Sequence, residues 1–160
     1  MRTNLILLSC ALMALLPLAG CDSEPAARMA TPVTAPQEAT LEVGDTTIRA
    51  SVVQTSALNE QVASQYGIER DDGIVMLLVG LRQGPPAEET SVPASVRATA
   101  TDLRGQKHPI EMRELHAGDL VDYVGTVQVS LPDTLAFDVV IEREGKSDST
   151  MQFSREFLPQ

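Results

Sequence analysis

The sequence has only two cysteines and no tryptophan. Cys10 lies inside an apolar segment near the start and Cys21 follows that segment, so no later residue carries a thiol. The rest of the chain therefore cannot supply a thiol nucleophile, a disulfide or a thiolate metal site. Without a tryptophan or a core disulfide, a standard antibody-type domain is also excluded.

Basic residues are scarce: 12 Lys and Arg stand against 22 Asp and Glu, for a net charge of −10. Nucleic-acid binding depends on cationic contacts with phosphate, so we expect no nucleic-acid partner. The same charge argues against docking of the protein surface on anionic lipid. It favours instead an envelope protein partner with a basic patch.

Long apolar runs are few: the longest is at the start, where residues 5–19 follow Arg2, and the shorter run "GIVMLLVGL" at 73–81 suits a buried strand. As a helix the first run would span about 22 Å, short of the ~30 Å hydrocarbon core of a bilayer. A basic start, a short apolar region and small residues after it are typical of a secretory signal peptide. The segment 18–21, "LAGC", resembles the lipobox of bacterial lipoproteins. We predict a lipoprotein signal peptide at 1–20 and a lipidated Cys21, the alternative being an ordinary signal.

Lipid on Cys21 would attach the protein to a membrane on the periplasmic side of a bacterial envelope. Two or more acyl chains give stable anchoring. Asp22 resembles the residue that retains many lipoproteins in the inner membrane, so the inner membrane is favoured over the outer membrane. Residues 21–39 contain three prolines and no apolar periodicity, which predicts a disordered tether.

Residues 40–160 are predicted to form one all-β domain, because apolar residues recur mainly with a period of two. Turn signals separate the segments of alternating apolar residues. This pattern favours an immunoglobulin-like β-sandwich of seven to eight short strands, with a small β-barrel as the alternative. The residues predicted to face the core are Ile48, Ala50, Val52, Val96, Ala98, Ala100, Val121, Tyr123, Val127, Val129, Leu135, Phe137, Val139, Ile141, Met151, Phe153 and Phe157.

One segment has helical spacing instead. Leu58, Val62 and Tyr66 recur every four residues, which predicts a short helix with an apolar stripe. Ser56 is the predicted N-cap and Gly67 the predicted C-terminal residue.

The motifs of common enzymes are absent, including the serine-hydrolase elbow, the zinc-protease helix, phosphate and dinucleotide loops and the EF-hand. We therefore predict a non-enzymatic protein without a cofactor. The one enzymatic alternative combines His116, Asp119 and a serine from another strand.

His108, Met112 and His116 recur every four residues and suggest copper ligands. In a strand, however, residues four apart lie about 13 Å from each other, too far for one metal. A metal site would need ligands from other strands. The acidic pairs 71–72 and 88–89 offer a weak calcium site or, as the simpler interpretation, solvated turns.

The predicted binding loop lies between residues 114 and 123 and contains Glu114, His116, Asp119 and Tyr123. The structural alternative is that residues 118–119 merely close a hairpin and Tyr123 packs in the core. The segment 84–93, "GPPAEETSVP", is a second candidate contact surface, because loops on rigid sandwiches often bind partners.

Three stretches resemble a known family in order and spacing: "SALNEQVASQYGIERDDG", "ATDLRGQ" and "EMRELHAGDLVDYVGTVQV". They resemble the exported bacterial family catalogued as domain of unknown function 4426, here with a lipoprotein signal, over residues 41–158. The resemblance implies a compact, β-rich exported domain without an established activity, and therefore no catalytic residues.

Together these features predict a lipid-anchored cell-envelope protein of unknown biochemical activity, acting as a non-enzymatic protein-binding or accessory module. The alternative is a periplasmic accessory protein that binds a small ligand or a metal.

Overall fold

The computed structural model describes residues 37–160 of the chain. The predicted signal peptide, the lipidated Cys21 and most of the predicted tether lie outside the described residues. Residues 37–39 belong to the first strand, which begins three residues before the predicted domain start at 40. The described part of the chain contains no helix long and apolar enough to cross a bilayer.

Ten strands and one α-helix make up the domain. The strands are β1 (Gln37–Val43), β2 (Thr46–Gln54), β3 (Ile74–Gln83), β4 (Thr90–Ser91), β5 (Ser95–Thr101), β6 (Lys107–Ile110), β7 (Arg113–Ala117), β8 (Leu120–Gln128), β9 (Asp133–Glu142) and β10 (Ser149–Phe157). The helix α1 (Glu60–Tyr66) follows a single 3₁₀ turn at Thr55–Ala57.

The strands form two antiparallel sheets. The first sheet has the order β1-β2-β3-β8-β7, with β4 paired to β3, and the second has the order β10-β9-β5-β6. The prediction of an all-β sandwich with one helix is confirmed, and the small-barrel alternative is wrong because the sheets do not close. The structure has ten strands instead of seven to eight, because it includes the two-residue β4 and divides the strand pattern around residues 108–116 into β6 and β7, one in each sheet.

The core lies between the two sheets, and the alternation along the strands explains its membership. Every residue predicted to face the core is either buried or packed against the buried cluster. Burial of each large aliphatic or aromatic side chain stabilises the fold by about 1.5–3 kcal/mol. The near-continuous apolar run of β3 is explained by burial on both faces, with Leu77 in the main core and Met76 in a second cluster.

The second apolar cluster covers the outer face of the first sheet. Met76, Leu115 and Val124 are buried there, and Leu58 and Tyr66 from the helical segment pack against them. The predicted helix is confirmed, but its predicted stripe is only partly so: Val62 does not belong to this cluster, and the buried residue of α1 is Ala63.

The N-cap of α1 is Asn59, whose Oδ1 accepts a hydrogen bond from the Val62 N–H at 2.8 Å. The prediction of Ser56 is wrong because Ser56 lies in the separate 3₁₀ turn. Gly67 ends the helix with a φ of 62°, a left-handed conformation that favours glycine. The predicted C-terminal residue is confirmed.

Polar side chains join the two sheets at each end of the sandwich. At one end, Gln54 Nε2 donates to the carbonyls of Asp72 and Leu158 at 3.1 and 3.0 Å. At the other, the Arg143 guanidinium donates to the hydroxyls of Thr46 and Ser149 at 3.2 and 3.5 Å.

We call the end that contains Gln54 the cleft end. There β3 begins and β8 ends in the first sheet, while β5 ends, β6 begins and β9 begins in the second. The turns that join β1 to β2 and β9 to β10 lie at the opposite end.

Candidate functional site

The predicted binding loop is the hairpin that joins β7 to β8. Gly118 and Asp119 form its exposed two-residue turn, and Gly118 has a φ of 63°. Glu114 and His116 lie on β7 with exposed side chains, and the carboxylate oxygen Oε2 is 3.3 Å from the imidazole Nε2. These three residues share an exposed edge of the first sheet.

Tyr123 is separated from the other three residues, because its side chain is only 4% exposed in the main core. Its hydroxyl accepts a hydrogen bond from the Ala94 N–H at 2.8 Å and so holds the segment before β5. The closed hairpin and the buried tyrosine agree with the structural alternative for this loop. A binding role for the hairpin stays a prediction.

The residues of the predicted copper pattern are spread over both sheets. His108 lies on β6 in the second sheet, His116 lies on β7 in the first, and Met112 packs against the core between them. Within residues 37–160, no three or more His, Cys, Asp or Glu side chains are grouped as metal ligands would be. The pattern therefore does not assemble a metal site in this part of the chain.

An open cleft of about 600 Å³ lies at the cleft end of the sandwich. Four chain segments form its walls: the approach to β3, the β5–β6 turn, the end of β8 and the start of β9. The residues that line it are Glu69, Asp71, Gly73, Ile74, Asp102, Arg104, Gln106, His108, Gln128, Val129, Ser130, Asp133 and Leu135.

Asp102 is held firmly in the wall of this cleft. Its Oδ1 accepts hydrogen bonds from the backbone N–H groups of Gln106 and Arg104 at 2.8 and 2.9 Å. Its Oδ2 lies 3.3 Å from His108 Nε2. The Gln106 N–H, followed by the contact with His108, lowers the pKa of Asp102 below the ordinary value for a carboxyl group. The carboxylate therefore stays ionised in the cleft at neutral pH.

Two other aspartates of the cleft are also oriented by backbone hydrogen bonds. Asp71 Oδ1 accepts from the Gly73 N–H at 2.7 Å. Asp133 Oδ1 accepts from the Thr134 and Leu103 N–H groups at 2.7 and 3.3 Å.

With Glu69 and Asp102, four carboxyl groups line the cleft beside a single arginine and a single histidine. The cleft is therefore a negatively charged surface suited to a cationic group.

Two arginines on the first sheet, Arg49 and Arg82, are already paired with acids. Arg49 binds the Glu89 carboxylate through both terminal nitrogens at 3.0 and 3.2 Å, and that hydrogen bond lowers the pKa of Glu89. Arg82 pairs with Asp122 across Gly80. Glu89 belongs to the segment 84–93, so this candidate contact surface is tied to β2 by an ion pair, and β4 pairs it to β3.

The structure does not pair His116 with Asp119, as the enzymatic alternative requires. His116 contacts Glu114 instead of Asp119, and both His116 and Asp119 are exposed. His108 with Asp102 is the histidine–carboxylate pair that lies in the cleft.

Sequence reasoning missed the cleft because its residues come from four segments spread over positions 69–135. Each aspartate looks like a common turn residue on its own. A signal was nevertheless present: acidic residues recur where strands begin or end, at Asp71, Asp102 and Asp133. Only the pairing of the strands shows that these positions meet at one end.

Comparisons with known proteins agree with this architecture. A family model described as Domain of unknown function (DUF4426) matches residues 40–160. The crystal structure of a DUF4426 family protein from Pseudomonas aeruginosa is 26% identical, with a TM-score of 0.65, and the match covers 77% of this chain and 96% of that one. A search of curated proteins found no match.

The fold is also similar to that of FetP from uropathogenic Escherichia coli. A copper-bound variant of FetP is 10% identical with a TM-score of 0.54, and the match covers 78% of this chain and 97% of that one. FetP as isolated after recombinant expression in the periplasm is 12% identical with a TM-score of 0.51, over 77% and 93% of the two chains. At these identities the similarity concerns the fold alone.

Proposed function

The chain belongs to the family described as Domain of unknown function (DUF4426), and from that premise we propose that it is a lipid-anchored envelope protein that binds a basic protein segment in its acidic cleft. Cys21 carries the lipid in this proposal, and the domain faces the periplasm from the inner membrane. The binding role is non-enzymatic.

The cleft is the observation that carries the binding proposal. Four carboxyl groups line a volume of about 600 Å³, and backbone N–H groups fix three of them before any ligand arrives. Preorganised charges lose little freedom on binding, which favours affinity. A partner with lysine or arginine side chains supplies the complementary charge.

The envelope location is supported by the sequence features before residue 40. The short apolar run that ends in "LAGC" resembles a lipoprotein signal. The negative net charge of −10 disfavours direct adsorption on anionic lipid, so a covalent lipid is the better membrane contact. FetP, which has a similar fold, was expressed in the periplasm.

Titration with a fluorescent tetralysine peptide tests the binding proposal. The purified lipidated protein is held in micelles of a neutral detergent, and peptide anisotropy is measured at low and high salt. We expect binding at low salt that weakens as salt screens the charges. Asp102→Asn should weaken binding by about threefold to fivefold, as expected for the loss of one solvent-accessible ion pair.

Asp148→Asn is the matched control, because Asp148 is exposed between β9 and β10 at the opposite end. It removes the same charge and should leave the affinity nearly unchanged. Equal affinity of the wild type and Asp102→Asn, or equal loss in both variants, would contradict a specific role for the cleft.

The alternative function is that of a small-ligand or metal-binding accessory protein; among residues 37–160, no three or more His, Cys, Asp or Glu side chains lie close enough to hold one metal ion. It predicts a large rise in melting temperature with one metal or metabolite, because a ligand that binds only the native state stabilises it. A flat response across Cu(II), Zn(II) and common metabolites would favour the binding module.

A further inference from the structure

A second pocket, of about 300 Å³, lies at the end of the sandwich opposite the cleft. Four segments form it: the β1–β2 turn, the end of β3, the segment before β5 and the β9–β10 turn. Its polar lining consists of Asp45, Thr46, Gln83, Arg143, Glu144 and Lys146. This volume is at the lower end of the range for ligand pockets, so it suits a small ligand or a chain end.

Arg143 joins the two sheets at this pocket through neutral partners only. Its terminal nitrogens donate to the hydroxyls of Thr46 on β2 and Ser149 on β10 at 3.2 and 3.5 Å. Both hydroxyl residues are buried, with exposed fractions of 3% and 7%. The Nε of Arg143 is also buried and has no hydrogen-bond partner in the described part of the chain. Among residues 37–160, the Arg143 guanidinium forms no ion pair with an Asp or Glu carboxylate.

A bridge between the sheets does not by itself require a positive charge. At the cleft end Gln54 makes the equivalent bridge with a neutral amide, which donates to two carbonyl oxygens. A half-buried guanidinium without an opposing charge is costly, because burial removes the water that stabilises the ion. The two hydroxyls also leave one N–H on each terminal nitrogen of Arg143 for a further acceptor. An anionic ligand supplies both the opposing charge and that acceptor.

The β9–β10 turn brings a second cation to the same pocket. The Lys146 N–H donates to the Arg143 carbonyl at 3.2 Å, which closes a four-residue turn. Gly145 within this turn has a φ of 67°, a left-handed conformation that favours glycine. The Cα atoms at the two ends of such a turn lie within about 7 Å of each other. The guanidinium and the flexible lysine side chain therefore line one pocket from a single turn.

Two acids in the lining restrict which anion the pocket suits. Asp45 is already engaged, since its carboxylate accepts from the Gln83 side-chain amide and the Thr46 hydroxyl. Glu144 is exposed in the turn between the two cations. Two cations and two acids give the lining no net charge, so the pocket favours one negative charge beside the arginine and disfavours a second. A carboxylate therefore suits it better than a phosphate group, which carries about two charges at neutral pH.

We propose that this pocket binds a ligand with a single carboxylate, which pairs with the Arg143 guanidinium and the Lys146 ammonium. Val92 and Pro93 provide an apolar wall for the rest of the ligand. Two sources carry this chemistry, the C-terminus of a peptide and a free small organic acid.

This site goes beyond the binding of a basic segment and does not rest on it. The ten residues of β3 connect the two ends of the sandwich and correspond to about 30 Å at the usual rise of a strand. The acids of the cleft are therefore separated from this pocket by more than the screening length of about 8 Å at physiological salt. Either site can be disproved without the other.

Titration with a matched acid and amide tests the ligand class. The ¹⁵N-labelled, lipidated protein in neutral micelles is titrated with N-acetyl-dialanine, with its C-terminal amide and with inorganic phosphate. We expect saturable chemical-shift changes at residues 45–46, 83, 92 and 143–149 with the acid. The amide should bind at least about tenfold more weakly, since it lacks the charge-assisted hydrogen bonds. Amide or phosphate binding as tight as that of the acid, or no saturable change with the acid, would overturn the proposal.

Propionate distinguishes the two sources of the carboxylate. If the carboxylate group alone is recognised, propionate should bind within about threefold of N-acetyl-dialanine. If the pocket also contacts a peptide chain through its apolar wall, propionate should bind more weakly than that. Either result supports the carboxylate site and identifies its ligand.

Variants of the β9–β10 turn test the residues. Arg143→Gln keeps an amide that can donate to the hydroxyls, as Gln54 does, but removes the charge and should weaken binding at least about tenfold. Lys146→Gln should weaken it about threefold, and Glu144→Gln should strengthen it about twofold, because charge near the ligand changes in opposite directions. Lys107→Gln is the matched control, since Lys107 is an exposed lysine at the cleft end. Its affinity should equal that of the wild type.

The opposite effects at Glu144 and Lys146 keep the test decisive even if Arg143→Gln does not fold. Both residues are exposed in a turn, so their variants should retain the fold. Changes in the same direction in the two variants, unchanged affinity in both, or an equal loss in Lys146→Gln and Lys107→Gln would overturn the proposal.

Discussion

Single residues decide the chemistry of the cleft. Asp102 combines two backbone hydrogen bonds with a contact to His108, and this pattern lowers its pKa. Asp102 therefore provides a negative charge at a fixed position in the wall of the cleft. A lone acidic residue in a turn has no such property until the chain around it folds.

The lowered pKa of Asp102 predicts a dependence of stability on pH. Because the folded-state pKa lies below the ordinary value of 3.8, the ionised group stabilises the fold above that value. This contribution is lost as the pH falls through the folded-state pKa. Asp102→Asn should lower the melting temperature most at pH 7, and the difference from the wild type should shrink below about pH 4. A difference that grows on acidification would contradict the assignment.

Substitution of Tyr123 tests whether this residue acts in partner binding or in packing of the core. Tyr123→Phe removes the acceptor of the Ala94 N–H and should lower the free energy of unfolding by about 1 kcal/mol. His116→Ala, on the exposed strand β7, should change it by less than about 0.5 kcal/mol. Urea denaturation of both variants, with tetralysine binding as a second measurement, separates packing from binding. A neutral Tyr123→Phe would contradict the structural role.

At the scale of elements, the segment that connects the second sheet to the first leaves no room for a side chain on the strand beneath it. The chain leaves β6 at Ile110 and enters β7 at Arg113, and on the way it passes directly over Gly125 of β8. A Cβ atom at Gly125 would lie 2.6 Å from the Ile110 side chain and 2.7 Å from the Glu111 carbonyl oxygen. Glycine is therefore required here by the close approach of two strands.

Gly125→Ala should destabilise the domain by about 1–3 kcal/mol, because the neighbouring backbone must shift to admit a methyl group. Thr126→Ala is a suitable control, since Thr126 is the next residue on β8 and its side chain is exposed. Its effect should stay within about 0.5 kcal/mol. Chemical denaturation provides the measurement, and equal stability of the two variants would show that the crossing is looser than described.

Element by element, the sequence predicted the strands that have one buried face. β2, β5 and β9 show the expected alternation along their lengths. β1 and the two-residue β4 were not predicted, and the strand pattern around residues 108–116 did not show that it divides into β6 and β7, which belong to different sheets. The cleft could not be predicted either, since it depends on which strand ends meet and not on any local pattern.

At the scale of the whole molecule, the distribution of charge supports the proposed binding role. A net charge of −10 favours cationic partners, and four of the carboxyl groups line the acidic cleft. The hairpin between β7 and β8 is the alternative binding surface. Mapping of the residues that respond to a bound peptide distinguishes the hairpin from the cleft.

Chemical-shift mapping with tetralysine tests the central claim most directly. The ¹⁵N-labelled, lipidated protein in neutral micelles is titrated with the peptide at low salt. We predict shifts in the segments 69–74, 102–108 and 128–135, which line the cleft, and their loss in Asp102→Asn. Shifts confined to residues 114–120, or no shifts at all, would contradict the assignment of the cleft as the binding site.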